Sequence, residues 1–376
     1  MKIFIIANGY PSKKYLINGI FEFDQASALA ARGHEIVYLA IDLRSIRRWR
    51  VWTEKSLVMN AVNIEVINIP LGKVPKSIYQ FFGVLGLYIV FQRCIRKYGI
   101  PDVIHAHFTY PGFFAVKALK KKKIPIVVTE HSSAINKEKI NPPYKKMAEY
   151  VYSNVKNIIT VSPTLQKRLT SIFQVESTFI PNIVDLNVFS YTTDVKNNEI
   201  FRLVSVGSLI PLKRMNRLIS GFSLFAKEHP NCELIIFGEG PDRKKLQKQL
   251  TELDLDDKVF IKGNCSRKQI AEAYKDTHCF ILVSSSETFG VAYIEALASG
   301  VPVIATTCGG PEVFVHKNNG ILIPVDDEKA LLQALITMYN TYSNYNYESI
   351  ATEIAMKFSP NNIAYQLELY YQRLLD

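Results

Sequence analysis

Two glutamates, Glu287 and Glu295, stand with seven residues between them in the stretch SSSETFGVAYIEALASGVPVIATTCGGPE (residues 284–312). An ionised carboxylate only accepts hydrogen bonds, so such a pair suits neutral hydroxyl groups and repels phosphate. The run HCFILV (278–283) ahead of them is short, apolar and rich in large and β-branched residues, which predicts a buried strand ended by three serines. From 291 to 298 the pattern is helical, and Ser299-Gly300 followed by Val301-Pro302 supplies stop signals before a further strand, VPVIAT. Glu287 is therefore expected on the loop at the carboxyl end of a strand and Glu295 on the helix leaving it, beside the crevice where open α/β sheets bind ligands. Phe289 and Gly290 fall in the first helical turn, whose unpaired N–H groups and dipole favour a diphosphate. The chemistry implied is a diphosphate flanked by two hydroxyl-bearing groups, one on a sugar and one on a ribose. An isolated Glu-x7-Glu spacing also fits a capping glutamate and a solvated helical one, so the surrounding elements must decide.

Those elements form a strand–helix alternation that occurs twice. KIFIIA, EIVYLAI, DVIHAHF, IPIVVTE and NIITVS predict strands in the first half, and FRLVSVG, CELIIFG, KVFIKG, HCFILV and VPVIAT in the second. Between the first two strands, residues 20–32 carry Ile20, Phe23, Ala26 and Ala30 on one helical face before Gly33. Such alternation predicts an α/β protein of right-handed βαβ units with parallel sheets, here two Rossmann-like domains facing a cleft. The polar, poorly periodic segment 181–200, containing Asn197 and Asn198, reads as the linker. The predicted division is 1–185, 186–358, and a closing helix over 359–376 whose apolar stripe (Ile363, Leu367, Tyr370, Tyr371, Leu374) is expected to pack back on the first domain.

At 376 residues, with 48% hydrophobic and 21% charged residues, the chain can build two full cores, and disorder is not expected. The N-terminus lacks the apolar core and cleavage site of a signal peptide, and the longest apolar run, 81–91, is about half of what a spanning helix needs, so the expected location is cytoplasmic. Five scattered cysteines support neither a disulfide framework nor a zinc site. Charge is uneven: residues 1–185 hold 26 Lys and Arg against 12 Asp and Glu, the remainder 19 against 22. A basic half suggests an anionic partner. RSIRRWRVW (44–52) interleaves Arg47, Arg48 and Arg50 with Trp49 and Trp52, Lys120, Lys121, Lys122 and Lys123 form a run, and IYQFFGVLGLYIVF is flanked by basic residues. Together they suggest a face docking peripherally on an anionic membrane, at the inner side of the plasma membrane; a solvated helix end and a core helix are the plainer alternatives. No nucleic-acid-binding motif occurs, and nucleic acid is not expected as a partner.

Other strand ends carry further candidates. SLIPLKRMNR (208–217) follows a strand and opens a helix, putting Lys213 and Arg214 where a diphosphate needs cations, although solvated basic residues at a helix start look the same. His131 lies just past the strand of VVTEHSS, as His105 and His107 do in IHAHF, and a cleft position for His131 suits catalysis or sugar binding.

The order of these motifs, from residues 9–19 and FEFDQASALAARGHEI through DVIHAHF, VTEH, VSPTLQKRL, IPNIVDLNVF, LVSVGSLIPLKR and IIFGEGPDRKKL to SSSETFGVAYIEALASGVPVIAT and the closing helix, resembles glycosyltransferase family 4 over essentially the whole chain. The resemblance implies the GT-B fold and a retaining, nucleotide-sugar-dependent enzyme. It implies that Glu287 contacts hydroxyls of the donor sugar, that Glu295 holds the ribose, and that Phe289, Gly290 and Val291 offer backbone N–H groups to sugar or phosphate. Lys213 would neutralise the diphosphate, His131 would sit near the transferred sugar, and Gly19 would lie in a loop approaching the phosphates. Transfer on one face, with the leaving phosphate helping to deprotonate the acceptor, needs no protein nucleophile, no metal and no other cofactor. Two departures stand out: Ser208 replaces a common arginine, for which Arg214 would compensate, and Ile183 replaces the glycine of an Asn-Gly-Val-Asp turn.

The resulting expectation is transfer of a hexose or N-acetylhexosamine, from a UDP-sugar in preference to GDP-mannose, to a glycan acceptor. The basic first half favours a lipid-linked acceptor in cell-surface polysaccharide synthesis. The alternatives are a nucleotide-sugar 2-epimerase on the same fold and a degenerate nucleotide-sugar-binding or scaffold protein without turnover.

Overall fold

The computed structural model describes residues 1–12, 15, 18–137, 139–193 and 199–376, with the backbone alone at Ser45 and Arg48. The side chain of Arg48, and Asn197 and Asn198 of the expected linker, therefore lie outside the described residues. The chain forms two compact units, Met1–Ile183 with Pro360–Asp376, and Val184–Ser359.

The first unit runs β1 (Lys2–Ala7), α1 (Ile20–Ala31), β2 (Glu35–Asp42), β3 (Thr53–Met59), β4 (Val62–Asn68), α2 (Lys76–Tyr98), β5 (Val103–His107), α3 (Thr109–Leu119), β6 (Ile126–Glu130), α4 (Pro142–Tyr152), β7 (Asn157–Thr160), α5 (Pro163–Phe173) and β8 (Thr178–Phe179). Its sheet order is β3-β4-β2-β1-β5-β6-β7-β8, parallel except where the edge strand β3 pairs antiparallel with β4. The central strands are continuous apolar runs because helices cover both faces: Ile3 to Ala7 of β1 are fully buried. α2 lies on β2, β4 and α3. Its contact face contains Gly83, where a Cβ would come within 2.3 Å of the Phe114 ring, and Gly86, where it would meet Ile69 at 2.9 Å. The helix is long and apolar enough to cross a membrane by length and composition alone, yet Leu87, Val90, Phe91 and Cys94 are buried against the unit.

The second unit runs β9 (Phe201–Val206), α6 (Met215–Glu228), β10 (Cys232–Phe237), α7 (Arg243–Glu252), β11 (Val259–Gly263), α8 (Arg267–Lys275), β12 (Cys279–Leu282), α9 (Val291–Ala298), β13 (Val303–Thr306), β14 (Gly320–Ile323), α10 (Glu328–Thr341) and α11 (Tyr347–Phe358). Its sheet order, β11-β10-β9-β12-β13-β14, is parallel between all named strands. The last helix, α12 (Pro360–Leu375), belongs to the first unit. Its apolar stripe, Ile363, Ala364, Leu367 and Tyr371, is buried in the core that also holds β1, β2 and α1. Arg32 at the end of α1 ties the polar side of α12, donating to Glu368 at 2.8 Å and Asn361 at 2.8 Å while stacking over Tyr365. Ile183 is buried in this same core and has an ordinary backbone conformation. A side chain that fills the core here removes the need for glycine at this turn.

Candidate functional site

In the second unit, β9 has β10 on one side and β12 on the other, so the strand order reverses between β9 and β12. A ligand crevice is expected at the carboxyl ends of those strands. Three loops converge there. The loop after β9 donates from Leu209 N to Glu239 O (2.9 Å) in the loop after β10, and Ser285 N, after β12, donates to Leu212 O (2.9 Å). The fit is too close for side chains: a Cβ on Gly238 would lie 1.9 Å from the Gly207 carbonyl oxygen, and one on Gly240 would lie 2.2 Å from that of Leu209.

This convergence brings Lys213 onto Glu287. The Lys213 ammonium donates to Glu287 Oε1 at 2.5 Å, and the Ser284 hydroxyl donates to the same oxygen at 2.7 Å. Glu287 is only 8% exposed, so both hydrogen bonds offset the cost of burying its charge. Ser284 is itself fixed, its carbonyl accepting from the Thr306 hydroxyl at 2.5 Å. Gly290 caps α9 in a left-handed conformation (φ 93°), and a Cβ there would strike the Tyr293 ring at 2.7 Å. Val291 is the first helical residue, while the Phe289 ring is buried against Phe314 and Phe358. The amides of Phe289, Gly290 and Val291 thus stand at the start of α9, where helical geometry leaves N–H groups without intrahelical partners.

Glu295, in the second turn of α9, is buried and paired with Arg267 Nε at 3.3 Å. Arg214 behaves differently from Lys213. Its guanidinium makes a two-pronged pair with Asp326, Nε to Oδ1 and Nη2 to Oδ2, both 3.0 Å, and Arg217 joins the same carboxylate at 2.8 Å. Ser208 is exposed. The sequence did not mark Ser284, Arg267 or Asp326 as partners. The last two lie far along the chain from the groups they hold, and their types alone carry no signal.

In the first unit the order reverses between β1 and β5. The loop after β1 reaches α1 through Gly19, whose φ is 71° and where a Cβ would lie 2.4 Å from the Gly9 carbonyl oxygen. The Tyr38 hydroxyl donates to that oxygen at 2.9 Å. At the ends of β5 and β6, His107 Nδ1 and His131 Nε2 are 3.1 Å apart. His105 sits deeper, its Nδ1 2.6 Å from the Tyr371 hydroxyl of α12 and its Nε2 2.6 Å from Thr129 Oγ1. Burial pulls the pKa of His131 and of His105 down to about 3, so both are neutral at physiological pH. Phe108, between His107 and α3, has φ 70° and ψ 159°, a region nearly reserved for glycine, at a cost of about 1–3 kcal/mol. Its ring lies 4.9 Å from that of His131.

The basic and aromatic segments separate in the fold. After β2, Trp49 is 87% exposed and Trp52 about half exposed, and Arg47 is exposed. Arg50 instead turns inward, to Asp42 at 3.1 Å, to the Ser12 hydroxyl at 3.2 Å and over the rings of Tyr10 and Tyr15. Lys120, Lys121, Lys122 and Lys123 follow α3, which leads back from the carboxyl edge of the sheet to its amino edge, opposite the Trp49 loop; Lys120 donates to Asn154 at 2.6 Å. α2 runs the same length between the two edges. Along its outer side Ile78, Phe81, Leu85 and Tyr88 form an exposed apolar stripe at helical spacing, with Phe81 62% exposed.

Two family models match the chain in succession: Glycosyltransferase Family 4 over residues 23–188, and Glycosyl transferases group 1 over residues 193–352. The alpha-monoglucosyldiacylglycerol synthase of Acholeplasma laidlawii is 26% identical over 341 residues, covering 83% of this chain and 85% of that protein. Among solved structures, the sucrose-phosphate synthase of Thermosynechococcus elongatus superposes with a TM-score of 0.84 at 20% identity, covering 100% of this chain and 99% of the other. Anabaena Alr3699/HepE, in complex with UDP and glucose, superposes with a TM-score of 0.77 at 18% identity, covering 99% and 100%. The neighbours establish the fold, and the two family models between them take in both units. The chain belongs to glycosyltransferase family 4 and is a glycosyltransferase of the GT-B fold.

Proposed function

We propose that this glycosyltransferase takes a UDP-sugar and moves its hexose or N-acetylhexosamine, with retention, to a glycan acceptor carried on lipid. The observation that carries the donor assignment is the Lys213–Glu287 pair at the switch point of the second sheet. A cation and a hydroxyl acceptor side by side match a diphosphate joined to a sugar. Glu287 holds the sugar hydroxyls, Glu295 the ribose, and Lys213 with the amides of Phe289, Gly290 and Val291 the diphosphate. In the transfer the sugar C1–O bond to phosphate breaks as the bond to the acceptor oxygen forms on the same face, and the acceptor proton passes to the departing phosphate. Stabilising that leaving group is the main electrostatic task, which falls to Lys213. Arg214 joins only by leaving Asp326. His131, neutral, serves as the hydrogen-bonding partner of the transferred sugar in this scheme. The UDP and glucose bound by the HepE protein support a uridine donor. Incubation with UDP-glucose, UDP-N-acetylglucosamine and GDP-mannose should give thermal stabilisation and slow hydrolysis with a UDP-sugar, and Lys213→Ala should slow turnover at least about tenfold, roughly 1.4 kcal/mol of barrier. Stabilisation by none of the donors sinks the assignment.

The lipid-linked acceptor and a peripheral position on an anionic membrane rest on the outer side of α2. The apolar stripe there is flanked by Lys73, Lys76 and Arg96, while Lys97 is held by Glu65 at 3.0 Å. Apolar side chains sink to the acyl boundary while basic residues meet acidic headgroups, each cation contributing about 1 kcal/mol. The relative named alpha-monoglucosyldiacylglycerol synthase makes a lipid-bearing product, which agrees with this reading. The protein should float with vesicles containing acidic phospholipid at low salt, and Phe81→Ser should weaken that binding without slowing hydrolysis of a soluble donor. Equal binding to neutral vesicles, or none to acidic ones, refutes it.

A further inference from the structure

His107 is fully buried, and nothing in the proposed transfer uses it. It lies at the end of β5 with one ring face stacked on His105, centroids 4.4 Å apart. One nitrogen, Nδ1, faces His131 Nε2 at 3.1 Å, and the other, Nε2, is buried without a hydrogen-bond partner. Both rings are neutral, since burial holds their pKa values far below the ordinary histidine range. Between two neutral imidazoles a hydrogen bond needs one proton on the facing nitrogens.

That proton can sit in two places. If His131 donated from Nε2, His107 would accept at Nδ1 and would have to carry its own proton on Nε2, leaving a buried N–H with no acceptor. Orphaned buried N–H groups are rare and costly, and an unfilled acceptor is better tolerated. The proton therefore belongs on His107 Nδ1. His131 then accepts at Nε2 and bears its proton on Nδ1, which makes no hydrogen bond to any described residue. Phe108 restricts the same ring from another side: its backbone is held in a glycine-like conformation by Phe108 N donating to Thr129 O at 2.8 Å, which places its ring over His131.

We propose that His107 is a positioning residue that fixes His131 as its Nδ1–H tautomer, so that His131 offers a neutral hydrogen-bond donor to an oxygen of the transferred sugar. The assignment rests on the reading that His131 meets that sugar. It makes His131 a poor proton acceptor, because its basic nitrogen is already engaged. The groups around the pair are His105, Thr129 and the buried Glu130, whose carboxylate is occupied by the hydroxyls of Thr109 (2.6 Å) and Tyr152 (2.8 Å) and by Ser132 N (2.7 Å).

The test is the tautomer itself. Long-range proton–nitrogen correlation on the full chain with 15N-labelled histidine, assigned by a His131→Gln variant, should show His131 protonated on Nδ1 and bare on Nε2. The reverse pattern overturns the proposal without any mutation at His107. In kinetics with a UDP-sugar, His107→Phe, which keeps the stacked ring and removes the donor, should lower kcat roughly tenfold while the donor KM stays within about threefold. His107→Asn, whose amide can donate from near the Nδ1 position, should recover most of the loss. Equal loss in both variants indicates packing alone and overturns the role. Should His131→Gln turn over at the wild-type rate, the sugar-contact reading falls, and with it the functional half of the proposal, while the nitrogen spectrum still decides the tautomer.

Discussion

Replacing Glu287 with glutamine should strengthen binding of UDP while weakening sugar transfer. The Lys213 ammonium is held 2.5 Å from a carboxylate that is 8% exposed and also accepts from Ser284. At an effective dielectric of about 20 the gross attraction at that distance is about 7 kcal/mol. Desolvation cancels most of it, and a hydrogen bond to a charged group is worth about 1.5–3 kcal/mol net. A diphosphate arriving at Lys213 must share the cation with Glu287 and also tolerate the carboxylate's charge. Glutamine keeps the shape and the Ser284 contact but removes that competition. The Kd for UDP should therefore fall about three- to tenfold, the upper figure being about 1.4 kcal/mol. The same change should cost the second unit on the order of 2 kcal/mol, lowering its Tm by about 4–8 °C. With a UDP-sugar, turnover should drop by about tenfold or more as the sugar loses its acceptor. Titration calorimetry with UDP, denaturation and donor hydrolysis separate the three effects. A UDP affinity unchanged or weaker in Glu287→Gln would mean that Lys213 is a structural partner of Glu287 and not the cation of the diphosphate site.

Arg214→Ala should change donor turnover less than threefold, against tenfold or so for Lys213→Ala, because the arginine is committed to Asp326 and a surface pair of this kind contributes about 0–1 kcal/mol to stability. A loss in kcat/KM equal to that of Lys213→Ala would show that Arg214 leaves Asp326 for the donor. Glu22, buried in the first turn of α1, has its carboxyl pKa pushed up to about 7 by burial, from 4.5. Between those values the unfolded chain releases the proton and the folded one keeps it, so stability falls as pH rises and then levels off. Glu22→Gln should match wild type near pH 4.5 and exceed it at pH 8 by on the order of 3 kcal/mol, measured by urea unfolding. A difference independent of pH would refute the buried, protonated carboxyl.

Much of this architecture was legible because it depends on local patterns. α9 was expected over 291–298 and spans those residues, since an apolar helical period there ends at Gly300. The central strands were readable as continuous apolar runs. The β3–β4 hairpin was not expected, for two physical reasons. β3 is an exposed edge with charged residues, and its turn is made by Asn60 and Ala61, both with positive φ (50° and 59°), where an alanine hides the usual Asn-Gly signal. In the candidate site, Glu287 and Lys213 were visible as types at strand ends and Glu295 on the helix leaving one, but their pairing was not. Lys213 meets Glu287 across 74 positions and Arg214 meets Asp326 across 112, distances set by strand order and not by spacing. The inward turn of Arg50 was equally invisible, because RRWR looks the same whether its arginines face solvent or Asp42. Ile183 shows the converse: a departure from the family turn that looked disruptive is absorbed by the first unit's core.

The discontinuity of the first unit has a consequence for how the protein is made. Ile363, Leu367 and Tyr371 complete its core, and the Tyr371 hydroxyl reaches His105 beneath the histidine pair. Those residues leave the ribosome only after the whole of Val184–Ser359, an interval of roughly 10–40 s at ordinary elongation rates. By the end of that interval the second unit has every strand it needs, while the first, whose own strands are complete by Phe179, still exposes the apolar surface beside α1 that α12 covers. The second unit can thus mature as an insertion inside an unfinished host. Premature termination just before α12 would leave a protein able to fold its second unit and unable to close the core that supports His131.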